Sequence, residues 1–199
     1  MSLSFRNLAY LGVLVLVSCD SQPPPDSDTE ASAERYFIRQ QVNTGQFGGD
    51  AKGQSFTPSV GLSPKSGGCS NLELISFSLV SAIHGVRNAP SESTFLNIYD
   101  GSPDSGFEFV GSSTNSVDTQ SVPDGEEMTW RFDGLSLDPN RKYWAIMSAT
   151  ESEGDFSVGV GIRTSYPNDV YPGGAGLVQG GKEQRYGHDA VFSAEFRGR

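Results

Sequence analysis

The chain has 199 residues, 24 acidic against 14 basic side chains, a formal net charge of −10, 24 glycines, two cysteines and two histidines. A surface this acidic repels phosphate backbones and argues against nucleic acid as a partner. His84 and His188 lie far apart, with no second histidine at ligand spacing, so nothing in the sequence builds a catalytic zinc centre.

Met1 to Asn7 carries one charge, Arg6, and Leu8 to Val17 form an apolar run. About ten residues make about 15 Å of helix, too little to span a bilayer. A basic start, a short apolar middle and a small exit residue are instead the parts of a secretory signal peptide. At its end stands Leu16-Val17-Ser18-Cys19, and here the chain resembles bacterial lipoprotein precursors, whose Leu-x-small-Cys box it matches. The resemblance implies that residues 1–18 are a signal peptide and that Cys19 becomes the acylated first residue. The N-terminal lipid would then hold the protein on a membrane of the bacterial cell envelope, on its periplasmic or outer-surface face. Once Cys19 is lipidated, Cys69 has no mate, so the domain relies on its core rather than on a disulfide.

Residues 19–35 comprise the lipidated cysteine and a segment with three successive prolines and almost no apolar side chain. Such a segment cannot bury enough surface to offset the entropy of ordering, and it is expected to be a disordered tether. Asp26, Asp28 and Glu30 begin like a calcium loop but lack its glycine and its distant glutamate.

Residues 36–199 suit one domain of short strands. Leu72 to Leu79 alternates, with Ile75, Phe77 and Leu79 expected on one face. Leu96 and Ile98 are expected to point inward on a strand ending at an Asp100-Gly101 turn. Phe107 to Ser113 is a short strand. Asp124-Gly125 is a turn signal before a strand that buries Met128, Trp130 and Phe132. Tyr143 to Ala149 is apolar on both faces and is expected to be central. Phe156, Val158, Val160 and Ile162 alternate, and so do Ala190, Phe192, Ala194 and Phe196. No long helical period follows the signal peptide. The pattern predicts an all-β chain folded as an antiparallel β-sandwich, jelly-roll-like.

Gln54-Ser55-Phe56-Thr57, Leu96-Asn97-Ile98-Tyr99-Asp100-Gly101, Trp130-Arg131-Phe132, Tyr143-Trp144, Tyr171-Pro172-Gly173-Gly174 and Asp189-Ala190-Val191-Phe192 follow one another in an order similar to exported bacterial β-sandwiches of the choice-of-anchor family. The resemblance implies the fold and surface display. It transfers no active site.

The chemistry the residues offer is that of binding. No Gly-x-Ser-x-Gly elbow or phosphate loop is present. Glu126, Glu127, Asp155 and Asp189 are carboxylates that a polysaccharide hydrolase could pair, but no spacing singles out two of them. Thr164 to His188 is long and glycine-rich, and it interleaves Tyr166, Tyr171 and Tyr186 with Asn168, Asp169, Gln179, Lys182, Arg185 and His188. Rings beside amides and charges suit a sugar, which offers C–H faces and hydroxyls. Trp130 and Trp144 are read as core. Asp50, Asp100 and Asp189 are candidates for a structural Ca²⁺. The sequence therefore points to a non-enzymatic binding or adhesion domain whose partner is a glycan or envelope polymer. An assembly module docking to another envelope protein is the rival reading, and an extracellular polysaccharide hydrolase is the third.

Overall fold

Apolar residues alternating with small polar ones, with glycines and prolines between the runs, favour strands over helices. A computed structural model describes residues 34–62, 71–82, 93–102, 104–119, 121–149, 151, 160–178, 181–184 and 188–198, the side chains of 46–50 and 160 excepted. Strands and turns make up these residues, and no α-helix occurs among them. The strands are β1 (Arg35–Gln40), β2 (Gly45–Ala51), β3 (Gly53–Phe56), β4 (Leu72–Val80), β5 (Ser93–Ser102), β6 (Gly106–Ser112) and β7 (Val117–Asp118). They continue with β8 (Glu127–Leu137), β9 (Tyr143–Ser148), β10 (Val160–Thr164), β11 (Gly176–Val178), β12 (Lys182–Glu183) and β13 (Phe192–Gly198).

Antiparallel pairs form between β1 and β13, β2 and β10, β3 and β9, β4 and β8, and β5 and β6. The two halves of the chain thus pair in mirror order, as one long hairpin that has been rolled up. Rolling distributes the pairs over two sheets. One has the order β1-β13-β4-β8, and the other β12-β11-β3-β9-β5-β6 with β7 beside β5. Without β7, β11 and β12, and with the β2–β10 ribbon set aside, this is the eight-stranded jelly-roll arrangement. The ribbon joins the first sheet through bridges at Ser81–Ile162 and Thr164–Ala190.

The core lies between the sheets. Phe56 of β3 packs against Phe77 and Phe196 of the opposite sheet, with centroids 5.4 and 6.4 Å away, and against Tyr143 at 6.0 Å. Phe77 stacks on Phe192 at 5.4 Å with the rings nearly parallel. Leu96 and Ile98 point inward, and so do Met128, Trp130 and Phe132, in agreement with the alternation. Strand β9 is central, between β3 and β5, and buried on both faces. Its outward residues Trp144 and Ile146 form a second cluster with Tyr99 and Leu177. Both tryptophans are buried.

Two local expectations change. Strand β4 has a register shift between Leu74 and Ser76. This bulge turns Leu72, Leu74, Phe77 and Leu79 into the core and leaves Ile75 only partly buried, so strict alternation from Ile75 fails. Strand β5 does not stop at Asp100-Gly101. It continues through Gly101 at φ 87° to Ser102, where the hydroxyls of Ser102 and Ser105 close the turn. Gly101 is required because a Cβ there would lie 2.3 Å from the Gly106 carbonyl oxygen.

Trp130 is fully buried, and its indole Nε1–H donates to the Thr94 carbonyl oxygen at 2.8 Å. Trp130→Phe should cost about 1–3 kcal/mol through the orphaned carbonyl and lost volume. Trp130→Ala should cost about 3–5 kcal/mol. Urea unfolding at unchanged m-value measures both.

Candidate functional site

The strands that bury phenylalanines inward carry the site outward. In the first sheet, Arg39 of β1 lies opposite Ser193 of β13, Ser193 opposite Ser78 of β4, and Ser78 opposite Thr129 of β8. One row of hydroxyls therefore crosses the sheet, and Ser78 and Thr129 share a hydrogen bond of 2.8 Å. The neighbouring row is aliphatic. The Val80 N–H donates to the Val191 carbonyl, and Val80 lies opposite Glu127. Ser78 and Ser193 of the first row and Val80 and Val191 of the second line a cleft of about 450 Å³, within the usual size range of small-ligand sites.

The walls are polar. Arg39, Gln41 and Asn43 line one end, and Glu127 and Gly125 the other. The Arg39 guanidinium lies 4.9 Å from the centroid of the Phe37 ring, which is itself exposed. Among the described residues neither Arg39 nor Glu127 takes part in an ion pair. Gln40 holds the rim. Its side-chain amide donates to the carbonyls of Ala190 and Val42, and its Oε1 accepts from the Val42 N–H. The turn before Glu127 is braced by an Arg163–Asp124 ion pair and by Gly125 at φ 83°. Glu126 closes the turn before β8, its N–H donating to the Pro123 carbonyl, and Glu127 is the carboxylate that lines the cleft among the described residues.

The predicted binding segment divides into an exposed tip and a buried support. Tyr166 is 52% exposed, and Asn168, Asp169 and Val170 also face solvent. Tyr171 was expected to offer its ring to a ligand but is 4% exposed. It packs edge-on against Phe192, and its hydroxyl donates to the Thr57 carbonyl at 2.9 Å, so it is a core residue. Burial raises its pKa. His188 is also buried, its ring perpendicular to Tyr166 at 5.3 Å, and burial lowers its pKa. Lys182 lies on β12 opposite Val178, exposed. Arg185, Tyr186, Gln179, Asp155, His84, Cys69 and residues 1–33 lie outside the described residues.

Asp189 is the support's centre. Its carboxylate accepts from the N–H groups of Val170 and Tyr171 at 2.9 and 2.8 Å and from the Gln54 amide at 3.1 Å. Burial raises its pKa, and these three donors pull it back down. Gln54 also accepts from the Ala190 N–H, and the Ser165 hydroxyl accepts from the Asp189 N–H and donates to the Asn168 carbonyl. The carboxylate serves the backbone of the tip. Asp100 is occupied as well, in an ion pair with Arg141 and as acceptor from the Gly101 N–H. The side chain of Asp50 lies outside the described residues. No group of three or more His, Cys, Asp or Glu comes together among the described residues.

The tip and the cleft share a wall. The Thr44 hydroxyl donates to the Tyr166 carbonyl at 2.8 Å and the Thr44 N–H to the Thr164 carbonyl, one residue beyond Asn43 of the cleft. Arg39, Gln41, Asn43, Ser78 and Ser193 carried no motif in the sequence. Their signal was the polar half of each strand's alternation, which becomes a site only when register sets the strands side by side.

The chain matches no protein-family model and no curated protein.

Asp189→Asn places an amide donor against the donors that now face the carboxylate. It should cost about 1–3 kcal/mol and speed amide hydrogen exchange at Val170 and Tyr171 while leaving exchange in β4 and β8 unchanged.

Proposed function

We propose that this is a lipid-anchored protein of the bacterial cell envelope whose β-sandwich binds carbohydrate without chemistry of its own. The supporting observation is the floor of the cleft, where the hydroxyls of Ser78 and Ser193 lie beside Val80 and Val191. A pyranose ring has an apolar C–H face and a rim of hydroxyls, and this floor offers a partner to each. Arg39, Gln41, Asn43 and Glu127 add planar polar groups that can donate to or accept from sugar hydroxyls. The exposed Tyr166 ring stands across the shared wall and offers a second stacking surface.

Membrane attachment rests on the Leu16–Cys19 box. Cys19→Ser should abolish fatty-acid labelling and move the protein from the membrane to the soluble fraction. Retention of label in that variant would refute lipidation at Cys19.

Carbohydrate binding is tested by calorimetric titration with bacterial exopolysaccharides and peptidoglycan fragments. Saturable binding is expected, and Ser193→Trp, which fills the cleft from its floor, should weaken it at least about tenfold, or about 1.4 kcal/mol. Retained full affinity in a folded Ser193→Trp protein would remove the cleft as the site.

A further inference from the structure

Resting on that carbohydrate reading, we infer that the ligand is a neutral, linear oligosaccharide of several rings, laid across the strands from Arg39 to Glu127. Direction comes from the register. The Ser193–Ser78–Thr129 row and the neighbouring Val191–Val80–Glu127 row both run perpendicular to the strands, so a ligand that uses both along its length must lie along them. Arg39 stands on β1 and Glu127 on β8, the two outer strands of the sheet. Three strand spacings separate these strands, about 14 Å. A single sugar ring cannot reach from one outer strand to the other, whereas a short chain of rings can. The volume of about 450 Å³ also exceeds what one ring fills.

Neutrality comes from the two ends. Arg39 only donates hydrogen bonds, and ionised Glu127 only accepts them. Among the described residues neither charge is neutralised by an ion pair. A uniformly acidic polymer would satisfy Arg39 and be repelled by Glu127. A uniformly basic polymer would meet the reverse. Hydroxyls both donate and accept, so a neutral glycan satisfies both ends with the same group. The chain's net charge of −10 adds a long-range penalty to any polyanion.

The test uses the full chain in detergent, on an array of neutral and acidic bacterial oligosaccharides graded from monosaccharide to hexasaccharide, followed by calorimetry on the best series. Affinity should climb with length to about the trisaccharide and then level off, and it should change little between low and high salt. Arg39→Gln and Glu127→Gln, both at exposed positions, should each weaken the trisaccharide roughly tenfold with thermal melting unchanged. Binding that favours a monosaccharide, that ignores both variants, or that is confined to acidic polymers and collapses with salt would overturn this inference and leave carbohydrate binding standing. No binding anywhere on the array, from a folded protein, would overturn both.

Discussion

The structure depends on one register, that of β1, β13, β4 and β8. Because side chains alternate between faces, the pairing that stacks Phe77 on Phe192 also sets Ser78 beside Ser193. A slip of one residue would exchange the two sets, placing serines in the core and phenylalanines in the cleft. Core and cleft are therefore not separately specified. The burial of Phe56 against Phe77 and Phe196 locks the sheets together and, with the same contacts, fixes the floor on the opposite side. This coupling explains how a site of ordinary serines and valines can be well defined although none of them has a special conformation.

A second constraint is the buried carboxylate of Asp189. A carboxyl group at 0% exposure is costly unless hydrogen-bonded, and here the compensation comes from the backbone of the tip and the Gln54 amide. The arrangement ties Val170 and Tyr171 to β3 through Gln54 and to the start of the last strand through Ala190. Tyr171 closes the same knot from the core side through Thr57. The exposed Tyr166 tip thus stands on an interior polar network, which Tyr171 joins to the aromatic core beneath the cleft through Phe192.

Much of the fold was legible in the sequence. Period-two alternation marks the strands around Phe77, Ile98, Trp130 and Phe192, and the doubly apolar Tyr143–Ser148 segment marks the central strand. The bulge at Ile75 was not legible, because an extra residue alters the faces without altering composition. The site was legible only in part. Tyr166, Asn168 and Asp169 are exposed as expected, but Tyr171 and Asp189 belong to the interior, since a tyrosine or an aspartate in a glycine-rich stretch looks the same whether it meets a ligand or its own backbone. Arg39 and Ser193 are far apart in the chain, and their adjacency appears only when the long hairpin rolls up.

The same topology sets where the cleft faces. Residues 1–34 precede β1, which begins at Arg35 opposite Arg197 and runs toward Gln40 opposite Phe192. The cleft starts at Arg39 and reaches Asn43, so it lies toward the other end of the first sheet, its near edge about 13 Å from Arg35 at the rise of an extended strand. The Tyr166 tip, tied to Thr44, is at that end too. With the proposed anchor at Cys19, residues 20–34 would join the lipid to the start of β1, the end of that strand remote from Arg39. Cleft and tip therefore share the end of the first sheet remote from the start of β1.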